Sequence, residues 1–365
     1  MPEPAQRSRS IDAVRGLAAM AVLLFHVFHE LAATSAHPGL LTILFTDTLD
    51  LGKAGVFMFF AVSGFLVPAS LNRAGPAPVR YFLISRLFRL YPVYWLSIAA
   101  ACVVFAATGV PAPDFATVAM NLTMLQQFFG VPNVMGSYWT LQIELIFYGL
   151  CVLIFAAGRL QSLRFMERAA TAAMMLAVGM AATRWATHWK LPVAIPFALA
   201  FMLFGSVWRQ HIWTAQPAAK AAALRLLMQL ALAIPLVSVL AYDFDAGGGE
   251  TWHRYVITYA TALLGFVVLT SVGQLRFRAV AYVGRISYPI YLLAPLVQLS
   301  LSTAFPDLRT EALLPLSVAF TTTALAALIH HLIEQPMMRT DSLLRAGNRK
   351  PRQRGGAGAA GGVLL

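Results

Sequence analysis

The sequence predicts an all-α fold, a polytopic integral membrane bundle of about ten transmembrane helices with both termini in the cytoplasm. Of its residues, 59% are hydrophobic and 12% are charged, about half the charged fraction of an average soluble chain. The apolar residues recur in runs of about 20, the length that a helix needs to cross a bilayer. A third observation, the one-sided placement of Lys and Arg, predicts the orientation of the chain.

Ten apolar segments are the candidate spans. They are residues 13–34, 52–71, 89–108, 138–158, 169–187, 192–208, 226–244, 255–273, 287–304 and 313–334. Proline residues inside or near the ends of these segments do not exclude helices, because membrane helices tolerate proline. The two cysteines, Cys102 and Cys151, lie in apolar runs and offer neither a disulfide framework nor metal-ligand spacing. No metal site is predicted.

The basic residues fix the predicted orientation. With the N-terminus inside, 21 of the 27 Lys and Arg residues fall on the cytoplasmic side. The six exceptions are Arg15, Lys53, Arg184, Lys190, Arg254 and Arg309. Such an excess of cytoplasmic Lys and Arg orients a membrane protein during insertion. It also explains the net charge of +12, so no nucleic-acid partner is predicted.

The first predicted span carries ionisable residues, which are costly inside a bilayer. Arg15 and His26 are eleven residues apart, so they share one helix face at an axial distance of about 16 Å. Taken singly, Arg15 could snorkel to the interface and His26 could bond a neighbouring helix. Their shared face favours a functional line of residues. His29 points about 60° away from His26, and Glu30 either orients His26 or marks the helix end.

Three further sets of polar residues lie in or beside the predicted spans. Arg86 and Arg89 are neighbours at i,i+3 before the third span. On charge alone they are ordinary cytoplasmic arginines, but they also suit a phosphate-binding fork. Glu144 lies inside the fourth span and needs a partner from another helix or a water-filled cavity. His330 and Glu334, four residues apart, are best interpreted as an interfacial pair.

Several of these residues fall in motifs that together resemble the membrane acyltransferase-3 family from residue 11 to about residue 339. The matching segments are IDAVRGLAA (11–19) with the Arg15–His26 spacing, GVFMFFAVSGFL (55–66), Arg86-x-x-Arg89 followed by LYP, WTL (139–141) with Glu144 and Tyr148, ISYPIYL (286–292) and EQP (334–336). Each motif is weak alone, but six in the family's order are a specific signal.

The resemblance implies an O-acyltransferase of the bacterial cytoplasmic (inner) membrane. Such a protein moves an acetyl or other short acyl group from cytoplasmic acyl-CoA, with acetyl-CoA expected, to a hydroxyl of a glycan or glycolipid acceptor at the cell surface or in export. Residues 1–338 would be the acyltransferase-3 membrane domain. Residues 339–365 would be a basic, Gly/Ala-rich cytoplasmic tail, expected to be disordered and to rest on anionic membrane lipids.

The resemblance also assigns site residues. The catalytic group would be His26 as a general base or acyl relay, with Glu144 and Tyr148 helping to form the active site. The acyl-CoA contacts would be Arg15, Arg86 and Arg89. Direct transfer and a covalent acyl-histidine both stay open. The chain departs from relatives that carry a His shortly after the Tyr-Leu of the ninth span, because Tyr291-Leu292 is followed here by Leu-Ala-Pro.

Two other classes of protein fit parts of the same pattern. A polytopic transporter or flippase for a lipid or sugar would also place polar residues within the membrane, although no inverted halves are evident. A structural subunit of a polysaccharide export complex is the third class. The acceptor is not predicted: the amides and aromatic residues of segment 108–138 would suit a sugar or a membrane-interface belt.

Overall fold

The computed structural model describes residues 4–34, 40–72, 77–243, 250–272, 278–306 and 313–339. Within these ranges the regular elements are all helices, and no strand occurs. The predicted all-α fold is therefore confirmed. Almost all of the predicted basic tail, from residue 340 onward, lies outside the described residues.

Thirteen α-helices are described. They are α1 (Pro4–Thr34), α2 (Leu40–Ile43), α3 (Leu51–Asn72), α4 (Pro78–Thr108), α5 (Phe115–Asn121), α6 (Trp139–Ala156), α7 (Leu163–Thr187), α8 (Ala194–Thr214), α9 (Pro217–Ala241), α10 (Trp252–Val272), α11 (Arg278–Arg285), α12 (Ser287–Ala304) and α13 (Leu313–Ile329). Short π-helices follow α2 (Leu44–Thr48) and extend α13 (His330–Glu334), and 3-10 turns cover Gln126–Phe129 and Gly136–Tyr138.

Among the described residues, eight helices are long and apolar enough to cross a membrane, and the pair α11 and α12, bent by 74°, makes a ninth. The polytopic prediction is therefore confirmed. The predicted sixth span is helix α8, which is not one of these. It nevertheless packs alongside α3, with Phe57 against Phe197 and Phe65 against Trp213. Helix α8 runs parallel to the spanning helix α3, as a tenth span would. The count of ten spans and the cytoplasmic location of both termini remain predictions.

Helix α3 lies at the centre of the bundle and approaches its neighbours through small residues. A Cβ atom added to Gly64 would overlap the main chain of Met202 in α8, and one added to Gly205 would overlap the carbonyl of Ala61. On the opposite side, Gly55 lies against the carbonyl of Ala18 in α1. Small residues at such crossings let membrane helices pack backbone to backbone, where dispersion contacts rather than the hydrophobic effect hold them together.

Three of the six basic residues that break the cytoplasmic bias are paired at the predicted outer end. Arg254 lies 3.4 Å from Asp50, while Lys53 and Arg184 lie 3.3 and 3.7 Å from Glu250. Asp50 also accepts a 2.8 Å hydrogen bond from the Lys53 main-chain N–H at the start of α3. These cations are thus held in ion pairs, and the orientation remains a prediction from the excess of Lys and Arg on the other side.

The segment between α4 and α6 folds back along α4. The side chains of Tyr91 and Trp95 donate 2.9 Å hydrogen bonds to the carbonyl oxygens of Thr123 and Leu122. Trp95 precedes the end of α4 at Thr108 by thirteen residues, or about 20 Å of helix. The segment is therefore not a simple outer loop, and its carbonyl groups are satisfied by protein donors, as backbone at membrane depth requires.

Some amide side chains of this segment are used internally. Asn121 is fully buried and bonds the main chain of Thr117, Pro132 and Val134. By contrast, Phe128 and Phe129 are 57% and 67% exposed. This arrangement favours the membrane-interface interpretation of the segment over a sugar-binding one.

The close contact of α3 with α8 gives a stability prediction. Gly64→Ala is expected to cost at least the roughly 1–3 kcal/mol of an overpacked core, because the added methyl meets main chain that has nowhere to move. Size-exclusion profiles in detergent and thermal unfolding measure the effect. Gly149→Ala in α6 is the control, since its Cβ would meet nothing within 4 Å and alanine favours helix. Equal stability of the two variants would contradict the packing argument.

Candidate functional site

A cavity of about 660 Å³ opens among helices α1, α3, α4, α6, α8 and α12. One face of α3 forms its long wall. Most wall residues of α3 recur at helical spacing: Val56, Phe59, Phe60, Ser63, Leu66, Val67 and Ser70. Val62 and Ala69 also line the cavity. From Val56 to Ser70, the wall extends about 21 Å along the helix axis. The cavity is therefore elongated along the bundle.

Four arginines from three helices line the cavity: Arg15 on α1, Arg86 and Arg89 on α4, and Arg209 on α8. Arg15 donates a 2.9 Å hydrogen bond to Ser287 Oγ and lies 3.7 Å from Asp12, its neighbour one turn earlier. Asp12 is the one aspartate of the wall. The lining is thus strongly cationic, which suits an anionic ligand.

Arg86 is held in place from several sides. Its Nη2 donates a 2.6 Å hydrogen bond to Ser70 Oγ at the end of α3. Its guanidinium lies 5.2 and 5.3 Å from the ring centroids of Phe82 and Tyr148. Its buried Nε has no hydrogen-bond partner among the described residues. Arg86 is thus held in a fixed orientation and keeps an unused N–H donor. Both features suit an arginine that binds an anion.

Glu144 is the acidic group deep in the cavity. Its Oε1 accepts hydrogen bonds from Ser63 Oγ at 3.0 Å and from the Tyr148 hydroxyl at 2.5 Å. The predicted need for a partner on another helix is met by Ser63 of α3, and the carboxylate also faces the cavity. Tyr148 does not line the cavity and touches the site through Glu144 and Arg86.

Helix α12 forms another wall of the cavity through Ser287, Tyr288 and Tyr291. The Tyr291 hydroxyl hydrogen-bonds Thr140 Oγ1 and the Ser137 carbonyl oxygen, both at 2.7 Å. One turn earlier, Tyr288 donates a 2.9 Å bond to the Leu90 carbonyl oxygen. These bonds tie α12 to α4 and α6, so tyrosines hold this wall together.

His26 lies apart from the other predicted site residues and does not line the cavity. The contact of Gly55 with Ala18 places the outer end of the cavity, at Val56, level with Ala18. His26 follows Ala18 by eight residues, about 12 Å along α1. Its ring centroid is 5.6 Å from that of Phe25, which in turn stacks on His29. The catalytic role of His26 remains a prediction.

The structure thus brings five of the six predicted residues together and leaves one outside. Arg15, Arg86, Arg89 and Glu144 line the cavity, and Tyr148 is bonded to Glu144. The side chain of Glu30 lies outside the described residues. His330 and Glu334 form a buried 2.6 Å pair of their own.

Sequence reasoning missed several cavity residues. Ser63 appeared only as part of a motif, although its place in the 56–70 stripe of α3 was readable from the helical period. Arg209 enters the sequence analysis only as one of the 21 cytoplasmic Lys and Arg residues. Trp213 lies in none of the matching motifs. No sequence signal links α8 to α4, because that proximity depends on how the helices pack.

The structure defines the class of protein, a helical membrane bundle with a cationic cavity. Comparison with known proteins shows the family. A family model described as an acyltransferase domain matches residues 8–331. The chain therefore belongs to this acyltransferase family.

One curated relative is the exopolysaccharide production protein ExoZ of Rhizobium meliloti (strain 1021). It is 32% identical over 111 residues, which cover 27% of this chain and 33% of that protein. The match thus spans about a third of the relative's length. No solved structure matches the chain.

The buried carboxylate gives a test of the site. Glu144→Gln keeps the shape of the side chain but removes its charge, so the bonds from Ser63 and Tyr148 are no longer charge-assisted. Because hydrogen bonds to charged groups contribute about 1.5–3 kcal/mol, we expect acyl-transfer turnover to fall at least roughly tenfold. Glu167→Gln is the matched control, since Glu167 lies outside the cavity and bonds Arg225. Unchanged turnover in Glu144→Gln would remove Glu144 from the active site.

Proposed function

We propose that the protein is a membrane O-acyltransferase that moves an acetyl or other short acyl group from cytoplasmic acyl-CoA to a hydroxyl of a cell-surface or exported glycan. The bacterial inner membrane is the proposed location. The family supports the reaction class. The relative is named as an exopolysaccharide production protein, which supports a polysaccharide acceptor.

The convergence of four arginines and Glu144 on one cavity carries the proposal. Acyl-CoA is a polyanion with three phosphate groups, and arginine binds phosphate through paired N–H donors. Arg86 lies at the end of α3 that is predicted to face the cytoplasm, where acyl-CoA is found. Arg15 and Glu144 lie further along the cavity, on the side toward the predicted outer half of the membrane.

In the proposed reaction, His26 accepts the proton of the acceptor hydroxyl as its oxygen attacks the thioester carbonyl carbon. The new C–O bond forms and the C–S bond breaks, with the electron pair leaving on sulfur. The proton held by His26 then passes to the CoA thiolate, which leaves as the free thiol. A covalent acyl-histidine would divide the same transfer into two steps.

This reaction needs a path from the cavity to His26. About two helical turns of α1 separate them, and Val22 packs against Gly55 of α3 in this interval. Separation of α1 from α3 here would extend the cavity along the face that Arg15 and His26 share. The proposal therefore includes an opening of this contact when the donor binds.

A transporter is the competing class, and one assay separates the two. Purified protein is incubated with radiolabelled acetyl-CoA and an exopolysaccharide acceptor, and label in the acceptor is counted. An acyltransferase leaves alkali-labile acetyl ester on the glycan. A protein that moves the glycan across proteoliposome membranes but transfers no label would be a transporter.

The arginine pair of α4 is expected to act on the donor. Arg86→Gln and Arg89→Gln should each raise the apparent KM for acyl-CoA about tenfold while changing the acceptor KM little, because each removes a charge-assisted bond to the donor alone. Steady-state kinetics with both substrates measure this. Arg225→Gln is the control, since Arg225 is exposed and lies outside the cavity. Normal donor kinetics in a folded double variant would mean that the pair serves only topology.

His26 has an internal control in His29. His26→Ala should lower turnover by roughly 10²–10⁴-fold, the usual contribution of a general base, while CoA binding stays near normal. His29→Ala should have a much smaller effect, because its side chain points about 60° away. Turnover above about a tenth of wild type in His26→Ala would move the catalytic role toward Glu144, which lies in the cavity itself.

A further inference from the structure

Arg209 is one of the four cavity arginines, but no part of the donor has been assigned to it. Together with Trp213 it forms a rigid cationic element. The two residues are one turn apart in α8, and the Arg209 guanidinium carbon lies 3.3 Å from the Trp213 ring centroid. Arg209 Nη1 also donates a 3.2 Å hydrogen bond to the Phe65 carbonyl oxygen. The Phe65 ring meets the Trp213 ring edge to face at 5.3 Å. The guanidinium is therefore fixed from two sides.

The pair lies at the same end of the cavity as Arg86. Helix α8 runs parallel to α3, so its last turn lies beside the last turns of α3, where Ser70 holds Arg86. Both Arg209 and Trp213 line the cavity, and both are half-buried. This end is the predicted cytoplasmic mouth, whereas Glu144 lies further in.

A stacked guanidinium has a defined binding direction. Stacking on indole occupies one face of the plane, and the N–H donors radiate from its edge, where they match two phosphate oxygens at once. Three arginines, Arg86, Arg89 and Arg209, then contribute positive charge on two sides of the end of α3. This arrangement fits a ligand with several phosphates better than one with a single anionic group.

We infer that Arg209 contacts a phosphate of the nucleotide end of the acyl donor, and that Trp213 is a positioning residue that holds the guanidinium plane. The inference rests on the proposed function and adds to it which part of the donor lies at the mouth. The phosphate-bearing nucleotide lies between α8 and α4, and the uncharged pantetheine arm and acyl group point inward toward Glu144.

Binding of unreactive ligands tests this inference on the full-length protein in detergent. The ligands are CoA, 3′-dephospho-CoA and pantetheine, and affinities are measured by isothermal titration calorimetry or by competition against radiolabelled CoA. Arg209→Gln should weaken CoA binding roughly tenfold or more and leave pantetheine competition unchanged. Trp213→Leu should have the same effect in weaker form, and Trp213→Phe, which keeps an aromatic face, should restore most of the affinity.

Two controls separate binding from folding. Arg225→Gln removes an exposed arginine outside the cavity and should bind CoA as wild type does. Arg209→Lys keeps the charge and is used if the Gln variant does not fold; it should bind CoA with intermediate affinity, because lysine lacks the planar fork.

The failures are distinguishable. If wild type does not bind CoA, the proposed donor and this inference both fail. If Arg86→Gln loses CoA binding but Arg209→Gln does not, the proposed function stands and this inference is overturned. An equal loss of affinity for CoA and pantetheine in Arg209→Gln would show a packing effect and would also overturn it. Binding of 3′-dephospho-CoA identifies which phosphate Arg209 contacts. If Arg209 binds the 3′-phosphate, Arg209→Gln does not weaken binding of this ligand. If Arg209 binds the pyrophosphate, the variant weakens it as it weakens CoA binding.

Discussion

The backbone-to-backbone packing of helix α3 is the constraint on which the site depends. Gly64 and Gly205 allow α3 and α8 to touch, and Gly55 does the same for α3 and α1. In lipid, helices gain little from burying apolar surface, so such close contacts carry the association. With those two sides of α3 occupied, a third side remains to face the cavity. The wall formed by residues 56–70 follows from this arrangement.

The bundle contains two groups of charged residues with different roles. At the predicted outer end, Asp50 and Glu250 form ion pairs with three cations. Along the cavity, by contrast, four arginines outnumber a single glutamate and a single aspartate. An ion-paired cluster holds helix ends together, whereas an excess of one sign attracts a ligand of the other sign.

The position of His26 relates the cavity to the reaction class. Four predicted residues share the cavity, while His26 lies on the same face of α1 about two turns beyond its end. Under the proposed function, a closed interval between the cavity and His26 would limit the loss of acyl groups to water. The contact between Val22 of α1 and Gly55 of α3 lies in this interval. A movement of α1 relative to α3 is therefore the change to measure when the proposed donor binds.

The sequence alone determined the fold class, because a bilayer requires apolar segments of a fixed length and orients them by Lys and Arg. It also predicted some of the polar residues of the site, since ionisable groups inside spans are costly and stand out. Only the tertiary structure decided which of them meet. Arg209 and Ser63 join Arg86 and Glu144 because helices from distant parts of the chain pack side by side. His26 lies outside the cavity because α3 packs against α1 at Gly55, and the cavity ends there. The sequence could not show this, because helical periodicity gives the direction of a side chain around its helix axis but not its distance from another helix.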